Sequence, residues 1–290
     1  MCSPEITSKV EAAINRRGFL RAAGMTAIGA AAAPLNWSTS FVGSGRRTDT
    51  AITFEKVVDC THVLEPGIPN YFRLNMEIKP LLTHEEHGVF VNQLIVPEHF
   101  GTHFDTPRHF IPGGSTGEAI RPEQLVGPLV IIDIAERAAK NPNTEVTVAD
   151  LKQWERRNGQ IPAGAFVAMY TNWAARWPTA AFLNENASGT YNFPGFGGEA
   201  AEFLVKERDI IGIGCDSHSL DIGPSTDFPA HITVLGAGKI GVENLAGLDE
   251  VLRQTDRRHG MGPNGYPIIV IGGLKTRNGS GSPIRALALV

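Results

Sequence analysis

The sequence predicts a single mixed α/β domain preceded by a short N-terminal targeting segment. Three observations support this prediction: apolar runs with strand character recur through residues 54–290, only a few segments have helical character, and no linker-like composition divides this region. Because the first strands have no helices between them, several strands are expected to precede the helices. A chain of 290 residues with 42 % apolar side chains can bury the core that such a domain needs.

The individual elements follow from composition and from capping signals. Strands are predicted where β-branched and aromatic residues concentrate, at residues 54–58, 90–96, 129–134, 165–170, 210–214, 268–271 and 284–290. A capping box at Thr147 and Asp150 predicts a helix that runs to Asn158 and stops at Gly159. Two further helices are predicted at residues 198–208 and 242–254.

An export signal is predicted at the N-terminus. Residues 1–33 contain the pair Arg16-Arg17, followed by Phe19-Leu20 and an almost uncharged Ala/Gly-rich run that ends at Ala33. This arrangement is typical of a twin-arginine signal, and the run lacks the polar face of the alternative, an amphipathic helix. Residues 34–53, rich in Ser, Gly and Thr, are typical of a flexible leader. We therefore expect a periplasmic or secreted protein whose domain spans residues 54–290.

Charge, hydropathy and cysteine content exclude several classes of protein. The 26 basic and 30 acidic residues give a net charge of −4 without long runs, which argues against nucleic acid as a partner. No apolar stretch reaches the about 18 residues that a membrane span needs. Cys60 and Cys215 are predicted to be two small buried side chains, the alternative being one disulfide bond in an oxidising compartment. The expected partner is a small-molecule substrate.

Residues 98–110 carry the clearest chemical pattern of the chain, Glu-His-Phe-Gly-Thr-His-Phe-Asp-Thr-Pro-Arg-His-Phe. In an extended chain, alternate side chains share a face. One face then carries His99, Gly101, His103, Asp105, Pro107 and His109, and the opposite face carries Phe100, Phe104 and Phe110, which we expect to enter a core. Gly101 and Pro107 disfavour the alternative, a helix. The pattern predicts three imidazoles and one carboxylate on a single wall.

A buried wall of this composition requires partners for its polar atoms. One divalent cation satisfies these atoms together, and nitrogen and oxygen ligands without thiolate suit Zn²⁺, Mn²⁺ or Fe²⁺. The alternative is a polar strand end whose histidines are satisfied by hydrogen bonds. We interpret the wall as a metal site.

The same residues resemble a known family. Residues 99–110 resemble the H-x-G-T-H-x-D-x-P-x-H-F signature of the metal-dependent cyclase family, which includes bacterial kynurenine formamidases and isatin hydrolases. Four further segments are similar to family motifs: Asp59-Cys-Thr-His62, Tyr170-Thr-Asn-Trp173, Gly214-Cys-Asp-Ser-His-Ser-Leu-Asp221 and Gly281-Ser-Pro-Ile-Arg285. His231 and Glu243, twelve positions apart, are similar to the family's second ligand pair. The resemblance covers nearly all of residues 54–290.

The resemblance implies a fold and a set of metal ligands. The fold would be a swivelling β/β/α domain with a partly closed barrel and flanking helices, usually assembled as a homodimer or homotetramer. His99, His103 and Asp105 would form the first ligand set, and His231 and Glu243 would complete a second position in a binuclear centre. Since some members hold a single metal, one or two ions of Zn²⁺ or Mn²⁺ are expected.

The resemblance also implies an activity and further site residues. The chain would be a metal-dependent, arylformamidase-like hydrolase that opens an N-formyl aryl amine or a cyclic amide with activated water. His109 would be the general acid/base, with a third metal ligand as its alternative role. Phe72 and Trp173 would be aromatic walls for the substrate, and Asp216 would either orient ligands or hold a turn. Asn172 stands where the family commonly has glycine, which leaves the substrate open.

Other functions are alternatives. His103, Asp105 and His231 match the two-histidine, one-carboxylate triad of non-haem Fe(II) oxygenases, but this triad would leave His99 and His109 unexplained. A lactone hydrolase or cyclase of the same family and a periplasmic receptor without turnover are further alternatives. Residues 236–241 fit the string G-x-G-x-x-G, but they lack the acidic strand end about 20 residues further on that dinucleotide binding needs.

Overall fold

The computed structural model describes residues 54–258 and 265–290. The predicted signal, 1–33, and the predicted leader, 34–53, therefore lie outside the described residues. The strands are β1 (Val57–Asp59), β2 (Glu77–Leu82), β3 (Val91–Ile95), β4 (His103–Asp105), β5 (Val126–Asp133), β6 (Glu145–Val146), β7 (Phe166–Tyr170), β8 (Gly195–Phe196), β9 (Gly212–Cys215), β10 (Ile240–Glu243), β11 (Ile268–Gly273) and β12 (Gly281–Leu289). The α-helices are α1 (His84–His87), α2 (Ala135–Lys140), α3 (Val148–Asn158), α4 (Gly198–Arg208), α5 (Pro229–Gly236) and α6 (Leu248–Arg258).

Seven strands close into a mixed barrel. Their order is β12-β11-β5-β7-β9-β10-β4, and the pairing of β4 with β12 closes the ring, while β1 pairs with β12 as an additional strand. Strands β5, β7, β9 and β10 are parallel neighbours, whereas β4, β11 and β12 run antiparallel to the strands beside them. The predicted class, a single mixed α/β domain, is confirmed. The barrel is fully closed rather than partly closed, because β4 has a partner on each side.

Alternation along the strands gives the domain two cores. Phe104 of β4 and Val242 of β10 pack inside the barrel. A second cluster fills the space between the outer face of the barrel and helices α3, α4 and α5. Because neighbouring side chains of a strand point to opposite faces, His103 and Asp105 beside Phe104, and Glu243 beside Val242, are directed to the outer face.

The predicted elements match the structure except in the region of residues 229–247. Each predicted strand overlaps an observed strand, and the bounds of α3 and α4 are as predicted. The prediction of a helix at 242–254 is wrong in its first half, because β10 lies there between β4 and β9, and Asn244 (φ 59°) and Gly247 (φ 64°) separate it from α6. The sequence of α5 does not predict a helix, because its β-branched residues are typical of strands. Residues 236–241 lead from α5 into β10, the reverse of the strand-to-helix order of dinucleotide sites.

Neither a disulfide bond nor a membrane-spanning helix is found in the described part of the chain. Cys60 and Cys215 are free and buried, which confirms the prediction of two small buried side chains. Burial raises the pKa of the Cys60 thiol to about 12, so this thiol is neutral. Within residues 54–258 and 265–290, no helix is both long and apolar enough to cross a bilayer.

Phe104→Ala is expected to lower the free energy of unfolding by about 3–5 kcal/mol, because it opens a cavity inside the barrel. The ring packs so closely that a β-carbon added to Gly273 would lie 2.4 Å from Phe104 Cε1. Chemical denaturation of the metal-free protein measures the loss. Phe72→Ala, at a residue that is 57 % exposed, is the control and is expected to stay within about 0.5 kcal/mol of the wild type. Equal losses in the two variants contradict a packed barrel interior.

Candidate metal centre

Five polar side chains converge on the outer face of the barrel beside α5. β4 provides His103 and Asp105, β10 provides Glu243, α5 provides His231, and His99 lies in the loop that leads into β4. Asp105 Oδ1 lies 2.7 Å from His99 Nδ1 and 3.4 Å from His103 Nε2. Glu243 Oε2 lies 3.3 Å from His103 Nε2, and Glu243 Oε1 lies 3.0 Å from His231 Nε2. The structure thus brings together the residues predicted as metal ligands.

These residues form two overlapping groups of candidate ligands. His99, His103 and Asp105 form the first group, and Asp105, His231 and Glu243 form the second; within each group the candidate ligand atoms lie within 4.8 Å of one another. Asp105 belongs to both groups because Oδ1 lies 2.7 Å from His99 and Oδ2 lies 3.5 Å from His231. A carboxylate placed in this way is suited to a position between two ions.

Glycines on the strands beside β4 make room for Asp105. In the strand register, Asp105 lies opposite Gly241 of β10 and Gly281 of β12. A β-carbon at Gly281 would lie 2.6 Å from His99 Cε1, and one at Gly241 would lie 3.3 Å from Asp105 Oδ2. A side chain at either position would therefore press on the candidate ligands.

The predicted wall is not one continuous strand. Gly101 has φ 65°, β4 covers His103–Asp105 alone, and residues 107–109 form a 3₁₀ turn. Phe100 and Phe104 are buried as predicted. The prediction that Phe110 enters a core is wrong: it is half-buried, and its ring stacks on that of His231 at a centroid distance of 4.6 Å. The turn after β4 breaks the alternation and brings Phe110 to the metal centre.

The chemistry of the site fits a divalent cation. His103 Nε2 and Asp105 Oδ2 are buried and have no hydrogen-bond partner among the described residues. Burial disfavours the charged carboxylates, but the imidazoles that face them hold the pKa of Asp105 and of Glu243 below the usual range. Burial also lowers the pKa of His103, but the two nearby carboxylates outweigh this effect and raise the pKa to about 10. Anionic oxygens and imidazole nitrogens together in one buried site suit Zn²⁺ or Mn²⁺.

Hydrogen bonds on the far side of two imidazoles orient the rings. His231 Nδ1 lies 2.6 Å from Asp221 Oδ2, which leaves His231 Nε2 directed at Asp105 and Glu243. His103 Nδ1 donates to the carbonyl oxygen of Gly101 at 2.9 Å, which leaves Nε2 free to act as a ligand. Sequence analysis did not assign a role to Asp221, although it is the last residue of the family-like segment 214–221. Such contacts fix the tautomer of metal-binding histidines.

His99 has a polar contact at each ring nitrogen. Nδ1 lies 2.7 Å from Asp105, and Nε2 lies 2.9 Å from Ser280 Oγ, which in turn donates to Glu98 Oε2 at 2.6 Å. Because the Ser280 proton is directed to Glu98, the Ser280 oxygen accepts from His99 Nε2–H. The tautomer of His99 therefore leaves Nδ1 available towards the candidate ion.

Asp216 holds a turn instead of orienting ligands. Its carboxylate accepts hydrogen bonds from Thr171 N, Thr171 Oγ1 and Trp173 N, at 2.6–3.1 Å. Burial raises the pKa of Asp216 to about 6 despite these bonds. Of the two alternatives for this residue, the structure supports the turn, and Asp221 is the carboxylate that contacts a candidate ligand.

The two predicted aromatic walls are placed differently from one another. Trp173 is 1 % exposed, its Nε1 donates to the Phe182 carbonyl at 2.7 Å, and the Arg176 guanidinium lies 3.5 Å from its ring centroid. Trp173 is thus packed inside, as a support for the turn at Asp216, and offers no face to a substrate here. Phe72 lies on the surface, edge-on to Tyr71 at 5.7 Å.

His109 lies at the rim of the first ligand group. Its ring stacks on that of His99 at a centroid distance of 3.8 Å and lies 6.1 Å from that of His231. Burial lowers the pKa of His109 to about 4, so the half-buried imidazole is neutral near pH 7. A neutral imidazole beside a metal centre is equipped to accept a proton.

Comparison with known proteins identifies the family to which this barrel belongs. The Cyclase family model matches residues 58–222, and the chain belongs to this family. The chain is 34 % identical over 254 residues to isatin hydrolase of Roseibium aggregatum, a match that covers 81 % of this chain and 92 % of that protein. It is 24 % identical over 203 residues to kynurenine formamidase of Salinibacter ruber, a match that covers 70 % of this chain and 81 % of that protein.

Solved structures are similar to this chain as well. Isatin hydrolase A from Labrenzia aggregata, bound to benzyl benzoate, has a TM-score of 0.72 and 33 % identity, covering 81 % of this chain and 93 % of its own. Isatin hydrolase A from Ralstonia solanacearum has a TM-score of 0.72 and 34 % identity, covering 81 % of this chain and 92 % of its own. These matches confirm the family resemblance inferred from the sequence motifs.

Asp221→Asn is expected to weaken Zn²⁺ or Mn²⁺ binding about 10- to 100-fold, because the amide no longer holds the His231 ring as a carboxylate does. Isothermal titration of the metal-free protein with each ion measures the affinity. Asp209→Asn, at a side chain that is 82 % exposed, is the matched control. Because Asp221 also accepts from Ala230 N–H, thermal unfolding of the metal-free variants separates a loss of fold from a loss of affinity. An unchanged affinity in a folded Asp221→Asn protein contradicts the orienting role.

Proposed function

We propose that this chain hydrolyses the C–N bond of an amide with the help of one or two divalent cations, Zn²⁺ or Mn²⁺. The observation that carries the proposal is the pair of ligand groups that share Asp105, with His109 stacked at their edge. The similarity to isatin hydrolase, over 81 % of this chain, supports an amide as the substrate. An iron oxygenase triad accounts for the site less well, because His99 and Glu243 belong to the ligand groups as well.

The residues of the chain have separate tasks in this reaction. His99, His103 and Asp105 would hold one ion, and Asp105, His231 and Glu243 would hold the other. A divalent cation in such a site lowers the pKa of water from 15.7 towards about 7 and polarises a carbonyl group. His109, neutral near pH 7, accepts a proton from the attacking water and returns it to the amide nitrogen. The water oxygen bonds to the carbonyl carbon, the C–N bond breaks, and the nitrogen leaves as an amine.

We propose an aryl amide as the substrate class, either an N-formyl aryl amine, as in an arylformamidase, or a cyclic amide. Aromatic rings beside the centre support this choice, since Phe110 stacks on His231 and Phe228 lies 5.4 Å from Phe110. Flat apolar surfaces of this kind favour a planar substrate. A lactone is the alternative, because its carbonyl would require the same groups.

We further propose that the chain is exported by the twin-arginine route and functions as a homodimer or homotetramer. The export proposal rests on residues 1–33.

The β2–β3 hairpin supports self-association, because two-stranded hairpins are marginally stable alone and the apolar residues Leu81 and Leu94 are more than half exposed. Light scattering of the purified domain measures its mass in solution.

Chelation is expected to abolish hydrolysis, and added Zn²⁺ or Mn²⁺ is expected to restore it. Elemental analysis of the purified protein identifies the ion and its stoichiometry. Three substrates, an N-formyl aryl amine, isatin and an aryl lactone, are then assayed before and after chelation. Full activity in a preparation without metal would reject the proposed function.

His109→Ala is expected to reduce kcat about 10²- to 10⁴-fold, because the attacking water loses its proton acceptor. Metal content, measured by elemental analysis, is expected to stay at the wild-type level. His87→Ala, on the exposed helix α1, is the control and is expected to leave both values unchanged. Loss of metal together with activity would instead assign His109 as a ligand.

A further inference from the structure

Outside the five candidate ligands, His218 has a buried nitrogen without a hydrogen-bond partner in the described chain. The residue is 4 % exposed, and its Nε2 is one of the unpaired buried atoms. A polar atom buried in this way is costly unless a ligand or a water molecule completes it. His218 is neither a candidate metal ligand nor the proposed acid/base.

Hydrogen bonds made by Asn244 determine which nitrogen of His218 carries the proton. The carbonyl oxygen of Gly101 can only accept, so it takes a hydrogen bond from Asn244 Nδ2 at 2.8 Å. Asn244 therefore presents Oδ1 to His218 Nδ1, at 3.2 Å. Because Oδ1 also only accepts, the proton of the neutral ring lies on Nδ1, and Nε2 is left as an acceptor. Burial lowers the pKa of His218 to about 4, which keeps the ring neutral.

His218 lies beside the second ligand group. It belongs to the turn of residues 216–221, in which Leu220 N–H donates to Glu243 Oε1 at 3.1 Å and Asp221 contacts His231. His218 is therefore in the same turn as residues that contact Glu243 and His231.

Aromatic rings enclose His218. Phe182 and Phe193 pack edge-on to its ring at centroid distances of 5.9 Å and 5.7 Å, and Tyr71 lies parallel to it at 6.1 Å. Both phenylalanines are fully buried, whereas Tyr71 is 38 % exposed. Tyr71 is thus the ring of this enclosure that reaches the surface. A ligand at His218 meets an apolar surface with one hydrogen-bond acceptor.

We infer that His218 Nε2 accepts a hydrogen bond from the N–H group of the substrate amide and so positions the nitrogen that leaves. This inference deepens the proposed function and rests on it. An apolar enclosure with a single acceptor selects a ligand with a matching donor, because a ligand without one leaves the acceptor unpaired. An amide N–H supplies the donor, whereas an N-alkylated amide and a lactone have no proton at that position. His218 is therefore a specificity residue that favours N–H amides over lactones.

The test compares isatin with N-methylisatin in the wild-type holoenzyme and in two variants. His218→Phe keeps a ring among the aromatic neighbours but removes the acceptor, and His218→Gln offers a carbonyl oxygen near the position of Nε2. For isatin, kcat/KM is expected to fall about tenfold or more in His218→Phe and to recover in part in His218→Gln. For N-methylisatin, kcat/KM is expected to change little. His84→Phe, on the exposed helix α1, is the control for a histidine away from the enclosure.

Two results overturn the inference while leaving the proposed function intact. One is an equal fall in kcat/KM for both substrates with unchanged metal content, which would make His218 a packing residue. The other is an Nε2–H tautomer in the ¹⁵N NMR spectrum of the Zn²⁺-loaded protein, in which the His218 signals are identified by their absence from His218→Phe. A wild-type protein that hydrolyses neither compound would instead count against the proposed function, and the NMR tautomer would still decide whether His218 Nε2 is an acceptor.

Discussion

The centre is organised around one carboxylate that is completely removed from solvent, that of Asp105. Burying an ionised carboxylate costs several kcal/mol unless positive charge or hydrogen-bond donors surround it. His99, His103 and His231 lie within 3.5 Å of its oxygens, and a divalent cation held among them would supply the positive charge. These histidines come from a loop, a strand and a helix, so the carboxylate contacts three different elements of the fold.

The barrel makes this arrangement possible because it gives β4 two neighbours. β4 has three residues, yet it pairs with β10 on one side and β12 on the other, so it has no free edge. Phe104 anchors the strand in the barrel interior, and the pleat then directs His103 and Asp105 outwards. Gly241 keeps the space beside the Asp105 carboxylate clear, and Gly281 does the same for the His99 ring.

Local pattern predicted part of this site, and tertiary contacts decided the rest. His99, His103 and Asp105 are close in sequence, so their spacing alone placed them together. His231 and Glu243 lie on a helix and a strand, and only the family resemblance connected them to the first group. The sequence does not distinguish the roles of Asp216 and Asp221, because both are aspartates in one turn. Which of them reaches His231 depends on the path of that turn.

The fold was predictable where the local pattern was clear, as in α3, which begins at a capping box, and in α4. It was not predictable at α5 and β10, where burial overrides local preference. The β-branched residues of α5 form a helix that packs on the barrel, and β10 is inserted between β4 and β9 although its sequence is compatible with a helix.

The carbonyl oxygen of Gly101 joins two parts of the site that would otherwise be independent. It accepts from His103 Nδ1 and from Asn244 Nδ2, and Asn244 in turn sets the proton on His218. A β-carbon at Gly101 would lie 2.9 Å from Leu64 Cδ1, so the position is also restricted by its surroundings. One carbonyl group therefore helps to fix the tautomer of both His103 and His218. Evolution towards a new substrate would be easiest at the partly exposed ring of Tyr71, because a substitution there leaves the hydrogen bonds of the Gly101 carbonyl unchanged.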